Sequence, residues 1–123
     1  MNSLSRICWI AAPIYALIGM GFGIWMSSNQ NFQLAPAHAH LNLLGWVTVA
    51  LFGTFYALKP EAANWRVSKL QVLAGNLAAI FMFPGIILAI LQVSEAVVII
   101  GSLLAVISML LFLYIVIRAT AKT

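Results

Sequence analysis

Polar positions in this chain fall in short clusters, and the clusters cut the apolar positions into four blocks. The blocks cover residues 7–26, 37–58, 70–91 and 96–117. A helix that crosses a bilayer needs about 20 mostly apolar residues, and each block supplies that length. None alternates as a membrane-barrel strand does; VVIIGSLLAVISMLLFLYIVI is apolar without a period of two. Backbone groups in lipid must bond within their own segment, which makes these spans helices. The pattern predicts one all-α domain over residues 1–123, an integral membrane four-helix bundle. No linker, low-complexity tract or repeat interrupts it.

Composition sharpens this picture. The chain is 64% hydrophobic and 7% charged, against roughly 25% charged in soluble domains. Its net charge of +4 reads as topology rather than as a nucleic-acid footprint. Arg6 precedes the first span, Lys59, Arg66 and Lys69 lie between the second and third, and Arg118 and Lys122 follow the fourth. The other two connections hold no Lys or Arg. By the positive-inside rule the charged side is cytoplasmic, with both termini there, as in a bacterial-type inner membrane. Arg6 and the apolar run after it have features of a signal peptide, with Ala35-Pro36-Ala37 as small residues. The run is too long and the tripeptide too far beyond it, so a retained first helix is expected. Cys8 is alone, forms no internal disulfide and is expected to pack between helices.

Local signals refine the elements. Pro36 suits a helix start, so the second span begins on the outer side. Pro60 ends that span, Trp65 with its flanking cations reads as an interfacial anchor, and Ser94 is placed to cap the fourth helix. Gly19 and Gly23 form a G-x-x-x-G pair, open to self-association or to packing within the chain. Pro13 and Pro84 are candidate kinks.

Candidate chemistry is sparse. The polar side chains that stand out within the spans are Asn42, Thr48, Asn76, Ser102 and Ser108, the two serines placed to bond their own helix. Glu61 and Glu95 fall in connections, which leaves no carboxylate proton relay. No nucleophile–base–acid set is present, so hydrolytic chemistry is not expected. The two histidines, His38 and His40, both open the second span. Residues two apart on an α-helix differ by about 200°, so the rings face opposite sides and do not chelate one ion as an i, i+4 pair does. Each side of the helix then offers a separate site. Haem between helices suits that arrangement. Copper or zinc would need further ligands that one chain does not supply. Alternatively the rings only hydrogen-bond Asn42 or Asn76. The absence of C-x-x-C-H makes any haem non-covalent.

AHAHLNLLGW, Ala37 to Trp46, resembles the tenth helix of haem–copper oxidase subunit I, most closely the C-type cytochrome c oxidases. The likeness continues weakly through LFGTFYALKP to Pro60 and so covers one helix of four. The resemblance implies that His38 corresponds to the ligand of the high-spin haem beside copper and His40 to that of the low-spin haem, with Asn42 and Trp46 beside the cofactor. This chain departs from the family in lacking its twelve spans, its copper-site histidines and tyrosine, and its proton channels. Three copies of a four-span chain would restore twelve spans around a threefold axis, with equivalent sites between neighbours. The expectation is a membrane haem b protein of cytochrome type, a homotrimer in the bilayer, working in electron transfer with a redox partner or in diatomic gas binding. Two alternatives stand beside it. One is a copper- or haem-handling accessory protein, helped by Met20, Met26, Met82 and Met109 if they cluster near His38, although only Met26 lies near the outer side and Met82 is deep in the third span. The other is a cofactor-free structural subunit.

Overall fold

The computed structural model describes residues 1–121 and is helical throughout its spans. The elements are α1 (Ser3–Ser28), α2 (Ala35–His40), a π-helical segment (Leu41–Val47), α3 (Thr48–Leu58), α4 (Pro60–Ala63), α5 (Arg66–Ile90) and α6 (Ala96–Thr120). α2, the π segment and α3 run on as one span, so four helices are long and apolar enough to cross a membrane. At 1.5 Å per residue, 24 to 26 residues rise about 36–39 Å, more than the roughly 30 Å hydrocarbon layer. All four were expected, with α1 and α5 starting about four residues earlier than the hydropathy blocks. Their first turns carry polar residues, which the hydropathy blocks left out.

One end of the molecule gathers the charges. Asn2 caps α1 by accepting the Ser5 N–H at 2.9 Å, and its amide donates to the Tyr56 carbonyl at 2.8 Å. This ties the start of the first span to the end of the second. Arg118, in the last turn of α6, lies 4.3 Å from the centroid of the Trp65 ring, a cation–π contact. The cations at 6, 59, 66, 69 and 118 therefore share this charged end; Lys122 lies outside the described residues. At the opposite, histidine end, α1 and α5 both stop at residues with left-handed backbone nearby, Gln30 (φ 50°) and Gln92 (φ 60°). The N-cap of α6 is Glu95 rather than the expected Ser94, whose hydroxyl accepts the Ala96 N–H at 3.2 Å from one residue earlier.

Small residues bring the helices together. Between lipid-facing helices there is little hydrophobic driving force, so close approach and hydrogen bonds do the work. α1 lays Cys8, Ala12, Ala16 and Gly19 against the second span, and Cys8 and Ala12 are fully buried. α6 docks on α5 through a narrow stripe, Gly101, Ser108 and Ile115, one residue every seven, the repeat of left-handed helix pairs. Phe112 and Ala119 beside that stripe are half-buried against the core. The opposite side of α6, with Ile99, Leu103, Val106, Leu110, Leu113 and Ile117, is exposed and apolar, as a lipid-facing side must be.

Most polar side chains inside the bundle are paired; the buried Ser5 hydroxyl on α1 is the exception among the described residues. Tyr56 donates to Gln71 Oε1 at 2.8 Å, Gln71 Nε2 donates to Ser108 Oγ at 3.0 Å, and Ser108 donates back to the Gln71 carbonyl at 3.1 Å. Ser108 thus crosses to α5 instead of bonding its own helix, because it sits in the docking stripe. Ser102, one helix edge away, does bond its own backbone, at Val98 O. Asn76 accepts from Tyr15 at 2.7 Å and so links α5 to α1.

Candidate functional site: the histidine end of the second span

Pro36 sits in the first turn of α2, where its missing N–H costs nothing. The two histidines follow within six residues of helix. His38 faces α1. Its Nδ1 lies 2.8 Å from the Gly19 carbonyl. A carbonyl oxygen only accepts, so Nδ1 carries the proton, and in the neutral ring Nε2 keeps its lone pair. Asn42 Nδ2 donates to that Nε2 at 3.3 Å and to the His38 carbonyl at 3.2 Å.

The glycine pair of α1 makes room for this clasp. A Cβ on Gly19 would lie 2.6 Å from Asn42 Oδ1, and one on Gly23 would lie 3.0 Å from His38 Cε1. The G-x-x-x-G pair is therefore a notch for His38 and Asn42 within the chain. Gly45 extends the same close contact, since a Cβ there would lie 2.7 Å from Tyr15 Cβ.

His40 is held differently. It lies about 200° around the helix from His38, as two residues of α-helix dictate. Its Nδ1 lies 2.8 Å from the Pro36 carbonyl, one turn back on its own helix. The same reasoning puts the proton on Nδ1. Nε2 of His40 has no hydrogen-bond partner among the described residues. The ring is half-buried, on a helix whose exposed residues Leu43 and Val47 follow at i+3 and i+7. Metal-ligating histidines commonly have this form: one ring nitrogen bonded to a backbone carbonyl, the other left with its lone pair.

Directly below the histidines the span departs from the regular α-helix expected for 37–58. From Leu41 to Val47 it is π-helical. The cause lies at Thr48, whose N–H bonds the Leu43 carbonyl five residues back and whose hydroxyl donates to the same oxygen at 2.6 Å. The wider turn reaches from Asn42, in the Gly19 notch, to Gly45, against Tyr15. Such segments recur at functional sites.

The remaining sequence candidates fall apart from one another. Trp46 is 41% exposed on the outer face of the π segment. Asn76 serves Tyr15 rather than a histidine. Met26 and Met82 are buried, and the Met82 sulfur faces the Ser102 hydroxyl on α6 at 3.6 Å. Among the described residues no three of His, Cys, Asp and Glu come together. Residues that sequence reasoning missed are Gln71 and the hydroxyls of Tyr15 and Tyr56. Gln71 stood at the edge of the third block and the tyrosines read as apolar bulk. No family model, curated protein or solved structure matches the chain.

Proposed function

We propose that this chain is a b-type cytochrome-like membrane protein in which His40 is an axial ligand to haem, held on the lateral face of the second span. The observation that carries the reading is the His40 ring itself, with Nδ1 on the Pro36 carbonyl at 2.8 Å and Nε2 unpartnered. The likeness of Ala37–Trp46 to the tenth helix of haem–copper oxidase subunit I supports it independently.

The residues fit haem in donor chemistry. The His40 Nε2 has no hydrogen-bond partner among the described residues, and Leu43, Trp46 and Val47 offer exposed apolar surface in the turns that follow. His40 lines none of the three grooves, which are lined by Asn2 and Asn76, by Val106 and Val116, and by Leu44 and Met109, and in this reading a second copy supplies the enclosure. In a ring of three copies each lateral face meets a different patch of its neighbour. Bound there, haem iron supplies one-electron chemistry or a site for a diatomic gas. His40 orients the ring and donates through Nε2, and Pro36 O holds the tautomer. His38 donates through Nε2 only after Asn42 turns away, so it is a second ligand or a positioning residue. In this reading the charged end is cytoplasmic, in keeping with the positive-inside rule, and the histidines lie near the outer face of a bacterial-type inner membrane.

One observation favours a second reading, a cofactor-free structural subunit: both nitrogens of His38 are engaged within the chain. Haem titration of the detergent-purified protein separates the two. The haem reading predicts a Soret band that saturates at no more than one haem per chain and sharp α and β bands on dithionite reduction. The structural reading predicts only the broad spectrum of free haem in micelles.

A further inference from the structure

The charged end carries a feature that the histidines leave unexplained. α1 and α5 both begin there, run parallel and stand apart, leaving a groove of about 490 Å³ between their first turns. That volume falls in the range of about 300–1,000 Å³ typical of small-molecule sites. Leu4, Ile7, Val72 and Leu73 form its apolar wall, and Asn64 and Lys69 stand among its polar lining. Past these the lining is apolar until Asn76, whose side chain is already engaged by Tyr15 and the Val72 carbonyl, so the groove offers a polar mouth and an apolar wall, the layout of an amphiphile with a polar head.

The electrostatics select the sign of that head. Lys69 is the one charged residue lining the groove, and neither carboxylate of the chain, Glu61 or Glu95, lines it. Lys69 and Arg66 occupy the first turn of α5, which holds no acidic residue and no side-chain cap. A helix N-terminus carries partial positive charge, so two cations there are mutually unfavourable without an anion. The Lys69 amine, the Asn64 amide and the apolar wall together match a phosphate attached to an acyl chain.

We propose that the groove between α1 and α5 binds one anionic phospholipid, its phosphate at Lys69 and Asn64 and one acyl chain along Leu4, Ile7, Val72 and Leu73. The site is independent of the histidines and stands whether or not the chain holds haem. A zwitterionic lipid brings its own cation to the same place and is disfavoured.

Native mass spectrometry of the full chain tests this, in micelles holding equal amounts of phosphatidylglycerol and phosphatidylcholine of one chain length. The expected result is a single phosphatidylglycerol retained in preference to phosphatidylcholine. Lys69→Gln lowers that preference about five-fold, the scale of one cation near an anionic head group. Lys59→Gln, a cation outside the groove, leaves it unchanged, and Leu73→Trp, which fills the groove from an exposed position, lowers retention of both lipids. Equal retention of the two lipids by the wild type would overturn the proposal. So would equal losses in Lys59→Gln and Lys69→Gln, which would mean general surface attraction.

Discussion

Replacing Gly85 with leucine is expected to prevent α6 from docking on α5. A Cβ at Gly85 would lie 2.7 Å from Val98 N and 2.8 Å from Val98 Cα. Both are backbone atoms, so no side chain can swing aside and the helices must part. The contact is reciprocal, because a Cβ at Gly101 of α6 would lie 3.0 Å from Met82 N of α5. Elsewhere α6 fully buries only Gly101, Ser108 and Ile115, with Phe112 half-buried against Phe52 and Phe55. Overpacking costs about 1–3 kcal/mol in ordinary cores and more where backbone must move. Parting the pair also strains the Gln71–Ser108 bonds, each worth about 1 kcal/mol. Thermal unfolding in detergent should show a midpoint lowered by on the order of 10 °C, with α6 open to proteolysis. Gly21→Leu is the control, since nothing lies within 4 Å of a Cβ there and its midpoint should hold. Equal midpoints for the two variants would contradict the docking described.

His38→Ala is expected to destabilise the fold, and His40→Ala is not. His38 fills the Gly19–Gly23 notch, gives its Nδ1 proton to Gly19 O and takes an N–H from Asn42. Truncation removes two hydrogen bonds and opens a cavity between α1 and the second span. The cavity and the stranded polar groups together cost about 2–4 kcal/mol. The His40 ring bonds only its own helix and is half-exposed, so its loss leaves packing intact. Equilibrium unfolding of the two variants beside wild type checks the asymmetry. Equal stabilities would mean that the clasp carries no weight.

Both predictions depend on contacts that hydropathy does not encode. The four spans were legible because length and apolarity alone specify a membrane helix, and Pro36, Pro60 and Ser94 punctuate them. Which face of each helix meets which neighbour was not legible, because in lipid the outer faces are as apolar as the inner ones. The Gly19–Gly23 pair announced a close approach and not its partner. Ser108 gave no sign that it would cross to Gln71. The π segment depends on the Thr48 hydroxyl meeting Leu43 O while Gly45 is drawn onto Tyr15, a coincidence of two helices that one helix's periodicity cannot reveal. The opposite facing of His38 and His40 was legible, since it follows from helix geometry alone. Their different surroundings, one ring clasped and one with a free nitrogen, emerged only with the neighbours in place.

The account centres on His40 Nε2 as a haem ligand. The most direct measurement is the dithionite-reduced visible spectrum of haem-loaded His40→Ala beside wild type, with unfolding midpoints recorded on the same samples. The account predicts that the sharp α and β bands of the wild type disappear in His40→Ala while its midpoint without haem stays at the wild-type value. Unchanged bands in a folded His40→Ala would contradict it, and would leave the histidine pair as part of how the second span packs.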